Sequence, residues 1–264
     1  MLDLSHQIEG LEALNNFRFA EAINRISPDT RAVCRRIGGG IALYAGVDSP
    51  MTQIFGFGMN GKVGEDELDQ LEAFYRAHRA PVCVEVCEWA DEAVPALLTD
   101  YGYHLTERTL VLTRSLAKDL SCEINNRVQR VPPTDAKVFA RIVARGFAES
   151  DAVPATFVDL FQAFCFTEGT ACFMAFQNDD PTGGGCVTVH RRVAMLFAAS
   201  VLPTHRNRGT QLDLIKARLQ YAAAQGCNYA VVTASPGTGS IRNLEKCGFR
   251  MAYARSKYVK KESN

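Results

Sequence analysis

Three potentially cationic side chains surround a single glycine in THRNRGTQ, Thr204 to Gln211: His205, Arg206 and Arg208 beside Gly209. The segment follows VAMLFAASVLP (193–203), which reads as a strand, and precedes LDLIKARLQYAAA, which has helical periodicity. A helix starting at such a junction leaves its first amides without intrahelical partners, directed into the loop. Together with the positive end of the helix dipole they make an anion site, where the dipole contributes about 0.3 to 2 kcal/mol to holding a phosphate. Gly209 removes the Cβ that would keep a bulky anion off the backbone. Arg206 and Arg208 can add charge-assisted hydrogen bonds. A pyrophosphate suits this chemistry, and an ordinary strand-to-helix loop with exposed arginines suits the fragment equally. Neither G-x-G-x-x-G nor G-K-S/T is present, which disfavours the dinucleotide-fingerprint and Walker-loop classes.

The elements that must position this loop follow from periodicity and turn residues. In the second half, EINNRVQRV (123–131) reads as a strand, and Pro133, Thr134 and Asp135 signal the start of a helix over AKVFARIVARGF. A second helix is expected near Ala155 to Cys165. Strands at ACFMAFQ and GCVTVHR flank NDDPTGGG, whose glycines 183 to 185 read as a hairpin turn because a strand, not a helix, follows them. Then come the strand 193–202, the helix 211–225, the strand CNYAVVTA, a short helix at Ser240 to Lys246 and a terminal strand, giving the order βααβββαβαβ, a mixed sheet with helices on its faces. The first half, aligned from its C-terminal end, shares the order strand, helix, strand, helix, strand, which reads as an internal repeat of strongly diverged sequence. SLAKDLS (115–121) marks the expected boundary between domains 1–120 and 121–264.

Composition narrows the classes. The chain of 264 residues carries 29 Lys and Arg against 29 Asp and Glu. A formal charge of zero argues against a nucleic-acid binder working through a broad basic surface. The zero conceals an asymmetry: residues 1–118 hold 11 basic against 17 acidic side chains, and residues 119–264 hold 18 against 12. Opposite charges suit docking of the halves, and the basic half also suits an anionic ligand. No stretch approaches a membrane span, and the first 25 residues lack the apolar core of a signal peptide, so a cytoplasmic location is expected. Nine scattered cysteines (34, 83, 87, 122, 165, 172, 186, 227 and 247) read as buried thiols in a reducing compartment. Cys83 and Cys87 have no second pair at zinc spacing, so no metal is expected.

RNRGTQ, Arg206 to Gln211, resembles the Q/R-x-x-G-x-G/A signature of GNAT-type N-acetyltransferases, preceded as in that family by a strand ending in V-x-P (Val201, Leu202, Pro203). SIRNLEKCGF, 240–249, resembles the family's downstream helix and turn at about the expected spacing. The resemblance covers residues 121–264 in element order. It implies an α/β fold of two GNAT-like acyl-CoA N-acyltransferase domains in tandem, with the N-terminal copy degenerate. It also implies acetyl-CoA as cofactor, its pyrophosphate on Arg206, Asn207, Arg208, Gly209, Thr210 and Gln211, and pantetheine beside Ser200, Val201 and Leu202. In that family the N–H at about Val201 polarises the thioester carbonyl, an electrostatic form of catalysis.

Three positions depart from the family pattern. Gln211 stands where Gly or Ala is preferred, and is compatible only if it points away from the phosphates. Leu244 occupies the place of the tyrosine that protonates the leaving thiolate, which leaves Tyr253, Tyr258 or water for that task. AMLFAAS contains no carboxylate to act as general base. His190 has the chemistry of a base near neutral pH, and a strand-end histidine without function is the commoner case. Asn243 suits a bond to the cofactor's thiol region or a plain polar helix face. Glu149, Ser150 and Asp151 suit an amine-bearing substrate or an ordinary solvated loop, and Cys247 reads as a buried thiol.

In the first half, the matching loop MNGKVGEDELDQ (59–70) places Glu65, Asp66, Glu67 and Asp69 in the first turns of its helix. They offset the dipole and repel phosphate, so a non-catalytic domain is expected there. The leading expectation is acetyl transfer to a small molecule's amine by direct attack in a ternary complex. The alternatives are a CoA or acyl-CoA sensor without transfer, or transfer to protein amines. Acceptor, acyl-chain length and oligomeric state stay open.

Overall fold

The structure is a computed structural model that describes residues 2–116, 120 and 123–260. It divides into two compact units: residues 2–24, 28–111 and 252–260, and residues 25–27 and 112–251. The expected boundary at 120/121 falls on a segment largely outside the described residues, as does Cys122. The terminal strand, expected in the second half, groups from Ala252 onward with the first unit. Its side chains account for this: Tyr253 and Arg255 are buried there against Glu9 of the N-terminal helix.

The first unit contains α1 (Leu2–Ile26), β1 (Val33–Ile37), β2 (Gly40–Tyr44), β3 (Gln53–Phe55), α2 (Glu65–Ala77), β4 (Cys83–Cys87), α3 (Val94–Asp100) and most of β5 (Tyr103–Ser115). Its strands lie in the order β1-β2-β3-β4-β11-β5, where β11 is Arg250–Lys260. β3 and β4 run parallel, as a strand-helix-strand crossover through α2 requires. Leu68, Leu71, Phe74 and Tyr75 of α2 recur at three- and four-residue spacing, so they fall on one face and pack on Ala42, Ile54 and Val84 of the sheet.

The second unit contains β6 (Arg127–Arg130), α4 (Ala136–Ala148), α5 (Ala155–Phe164), β7 (Thr170–Gln177), β8 (Asp180–His190), β9 (Val193–Val201), α6 (Thr210–Ala224), β10 (Tyr229–Ala234) and α7 (Gly239–Lys246). This is the order read from the sequence, in a mixed α/β sheet. β6 to β9 are antiparallel neighbours in sequence, and β10 lies parallel to β9. Glycines 183–185 lie inside β8 rather than in a turn. The hairpin is made by Asn178 and Asp179, both left-handed. The glycines are there for close packing instead: a Cβ on Gly184 would lie 2.6 Å from the Phe139 ring of α4. Among the described residues, no helix is long and apolar enough to cross a membrane.

Candidate functional site

β9 carries the site because its pairing changes along its length. From Val193 to Leu196 it pairs with β10, and Val232↔Leu196 is the last pair of that ladder. Its register against β8 shifts between Gly184 and Cys186, and Ala198 adopts a φ of +48°. Such a bulge bends one strand away from its neighbour. Ala199, Ser200 and Val201 then form one wall of a groove of about 730 Å³, whose other walls come from the loop into α6, the end of α4 and the start of α7. Gly146 lets α4 approach closely, since a Cβ there would lie 2.4 Å from Ser200 Oγ. Ser200 Oγ is tied to the Val143 carbonyl at 2.8 Å.

At the loop, Gly209 caps α6 with a φ of +80°, a conformation that costs any residue with a Cβ. A Cβ there would meet only Asn126 Nδ2, at 3.9 Å, so the space above it is open. Asp213 N–H is the first amide of the helix to be bonded, to Gly209 O. Among the described residues, the six amides of Asn207 to Leu212 have no hydrogen-bond partner. Thr210 Oγ1, buried beside them, is also unpartnered. Arg242 and Lys246, one helical turn apart on α7, line the same groove with Asn243. This is a cradle of neutral donors with cations on its rim, the donor set that a pyrophosphate needs.

Residues 140–249 match the model of the acetyltransferase (GNAT) family. The second unit carries a GNAT acetyltransferase domain. It is an acyltransferase domain, of a family that uses acetyl-CoA and acts on amines. No curated protein matches the chain. Among solved structures it is similar to a GCN5-related N-acetyltransferase from Kribbella flavida, 13% identical with a TM-score of 0.64, over 92% of this chain and 96% of that one. It is similar also to a GCN5-related N-acetyltransferase from Sphaerobacter thermophilus (16% identity, TM-score 0.58, 87% and 75% covered). A tandem GNAT protein from the clavulanic acid biosynthesis pathway gives 14% identity and a TM-score of 0.58 over 87% of this chain and 81% of that one. What these structures share with this chain is the fold, and its two-domain arrangement matches the tandem GNAT protein.

The structure brings most of the sequence-predicted residues of this GNAT domain together. Ser200, Val201, Arg206, Asn207, Gly209, Thr210, Gln211 and Asn243 all line the groove. Gln211 turns toward α7, accepting from Asn243 Nδ2 at 2.7 Å and donating to Ser240 Oγ at 3.3 Å, so it leaves the loop amides uncovered. Leu202 and Arg208 do not line the groove. The Leu202 amide donates to Thr182 O, and Arg208 reaches Gln177 Oε1 at 3.4 Å. The expected role of Arg206 as a phosphate clamp also changes: its guanidinium donates to Val201 O, Gly146 O and Glu149 Oε1. Arg206 therefore fastens the loop to the ends of β9 and α4. Of the acidic loop residues, Glu149 pairs with Arg206 and Asp151 with Arg145, both in exposed ion pairs.

Two expected catalytic groups lie elsewhere. His190 pairs with Val193 at the start of β9, whereas Val201 is at its end; eight residues of strand separate them by about 26 Å. Antiparallel pairing makes the end of β8 the start of β9, which the sequence order alone does not display. Tyr253 belongs to the first unit, 1% exposed, with its hydroxyl donating to Glu9 Oε1 at 2.6 Å. Burial, with the Glu9 charge adding to it, holds that hydroxyl far above the ordinary tyrosine range, so it is a poor proton donor for a leaving group. Tyr258 is likewise in the first unit, on β11 opposite Val84. Leu244 and Cys247 are buried in the second.

Sequence reasoning missed Arg242, Lys246 and Phe147. The first two are spaced i, i+4 in SIRNLEK, a signal that charge periodicity could have given. Phe147 lines the groove 48% exposed and stacks on Phe161 with ring centroids 5.3 Å apart.

Proposed function

We propose that the second unit binds acetyl-CoA along this groove and transfers the acetyl group to the amine of a small molecule by direct attack in a ternary complex. The observation that carries this reading is the run of six unpartnered amides, Asn207 to Leu212, around an open left-handed glycine. When bound, the cofactor would supply an activated thioester. The loop amides would hold its pyrophosphate, and Arg242 and Lys246 would add charge at the rim. Beyond the bulge, β9 has left β10, and the Val201 amide is the group assigned to polarising the acyl carbonyl. The exposed face of Phe147 suits a compact apolar acceptor. Among the described groove-lining residues, the one carboxylate is Glu149, held by Arg206. The acceptor attacks as the neutral amine and its proton passes to water or to His205, which also lines the groove, and holding the two reactants together supplies much of the rate.

We test this by calorimetric titration with CoA and acetyl-CoA, followed by thiol release in the presence of a panel of amines. Binding with amine-dependent thiol release is expected, and no binding by the folded wild type overturns the reading. A second reading, a CoA or acyl-CoA sensor without transfer, draws support from Leu244, 2% exposed where the family carries its acid. It predicts binding with no amine-dependent release. Label appearing on peptides but on no small molecule assigns protein amines instead. For the first unit, whose strand-to-helix loop is occupied by its own carboxylates, the reading is a non-catalytic domain that binds no CoA.

A further inference from the structure

Arg218 on α6 has no place in the reading above. It is 2% exposed, and burial lowers its pKa to about 10, so it stays a cation at neutral pH. Among the described residues no carboxylate pairs with it, an expensive arrangement for a buried charge. Its donors go to backbone carbonyls: Nε to Leu214 O at 2.9 Å, and Nη1 to Cys186 O at 3.1 Å and Phe197 O at 3.4 Å.

The last two carbonyls belong to the Cys186–Phe197 pair, the ladder pair next to the β8–β9 register shift and the left-handed Ala198. A bulge interrupts the ladder beside this pair, and the guanidinium donors tie the two strands together where the regular pairing stops. Gly185 makes the space for it: a Cβ there would lie 2.9 Å from Nη1, 3.0 Å from Cζ and 2.9 Å from the Ala199 Cβ. Immediately past this point β9 leaves β10, and Ala199 to Val201 become groove wall.

We infer that Arg218 is a positioning residue: it holds the β8–β9 bulge and so aims the backbone of Ala199 to Val201 at the acyl end of the groove. The phosphate end depends on the loop amides and not on this arginine. This inference rests on the proposed cofactor site, and its signature is the difference between acetyl-CoA and CoA, not the affinity for CoA itself.

The test uses the full chain with Arg218→Met, Arg218→Gln and Arg218→Lys. Amide hydrogen exchange at Ala199 to Val201 is measured without ligand, and both cofactors are titrated. The expected result is exchange at least tenfold faster in Arg218→Met, with the wild-type preference for acetyl-CoA over CoA lost and CoA affinity within about twofold. Lysine is expected to restore part of both. Unchanged exchange and an unchanged acetyl-CoA preference in a folded variant overturn the inference, as does a wild type with no such preference. Failure of the wild type to bind either molecule sinks the cofactor reading instead, and the exchange data then judge the positioning role alone. If Arg218→Met does not fold, Arg218→Gln is held to the same criteria.

Discussion

Two turns lead from a strand into a helix in this chain, β3 to α2 in the first unit and β9 to α6 in the second. Both follow a strand with a parallel neighbour, β4 or β10, and both are rich in glycine. In the first turn several backbone donors are held, two of them by carboxylates, and Glu65, Asp66 and Glu67 bring negative charge to the helix start. Gly64 N–H is held by the Glu67 carboxylate at 2.8 Å, Val63 N–H by Asp91 Oδ2 at 3.2 Å and Gly58 N–H by Gly38 O at 2.9 Å. In the second turn the amides from Asn207 to Leu212 have no partner among the described residues. The same supersecondary unit is thus an acidic helix start, partly held by its own carboxylates, in one copy and an anion cradle free of carboxylate bonds in the other. The fold supplies the amides, and nearby carboxylates decide whether they are available.

The largest expected effect breaks the open turn. Gly209→Glu puts a carboxylate into the cradle and is expected to weaken acetyl-CoA binding at least a hundredfold in calorimetric titration, while circular dichroism shows a folded chain. Retained affinity removes the cradle from the cofactor site.

Next in size is a contrast in charge burial. In the first unit Arg255 faces Glu9 and Glu12 of α1 and Glu85 of β4, with Tyr253 and Cys87 against Glu9. Burial, with Glu85 and Glu9 adding their charge against the opposing Arg255, raises the Glu12 pKa from 4.5 to about 7. A raised carboxyl pKa means the folded state binds the extra proton. This contribution to stability is fully present below about pH 4.5 and is lost as pH rises through about 7, a change of roughly 3 kcal/mol. Urea denaturation of the wild type and of Glu12→Gln across that window should show the slope only in the former.

Arg206→Ala sharpens the comparison differently. Since Arg206 fastens the loop to α4 and β9, its loss is expected to weaken acetyl-CoA about tenfold with the salt dependence unchanged. Arg242→Ala with Lys246→Ala should instead flatten the salt dependence. The smallest effect tests the acidic turn: Glu67→Gln is expected to cost the first unit about 0.5 to 1 kcal/mol in denaturant melts and to leave acetyl-CoA binding untouched.

Local patterns explain what was legible in the sequence. α4 was readable because Phe139, Ala140, Val143 and Gly146 repeat at helical spacing, and α6 because LDLIKARLQYAAA has the period of a helix behind Gly209. The glycine run 183–185 misled because three glycines look like a turn, whereas their cause is the approach of Phe139, Ser200 and Arg218 from other elements. His190 and Tyr253 were misplaced for the same reason: a side chain's type shows what it can do, but not which end of a strand or which unit receives it.

By itself the sequence determined the order of elements in each half, the anion-seeking loop around Gly209 and the acidic helix start at Glu65, since periodicity, backbone freedom and local charge are properties of neighbouring residues. The tertiary structure decided which amides stay unpartnered, that Arg206 braces the loop instead of gripping a phosphate, and that the terminal strand is buried with the first unit. Those outcomes depend on competition for the same donors and the same buried space by residues far apart in the chain, and only folding brings the competitors together.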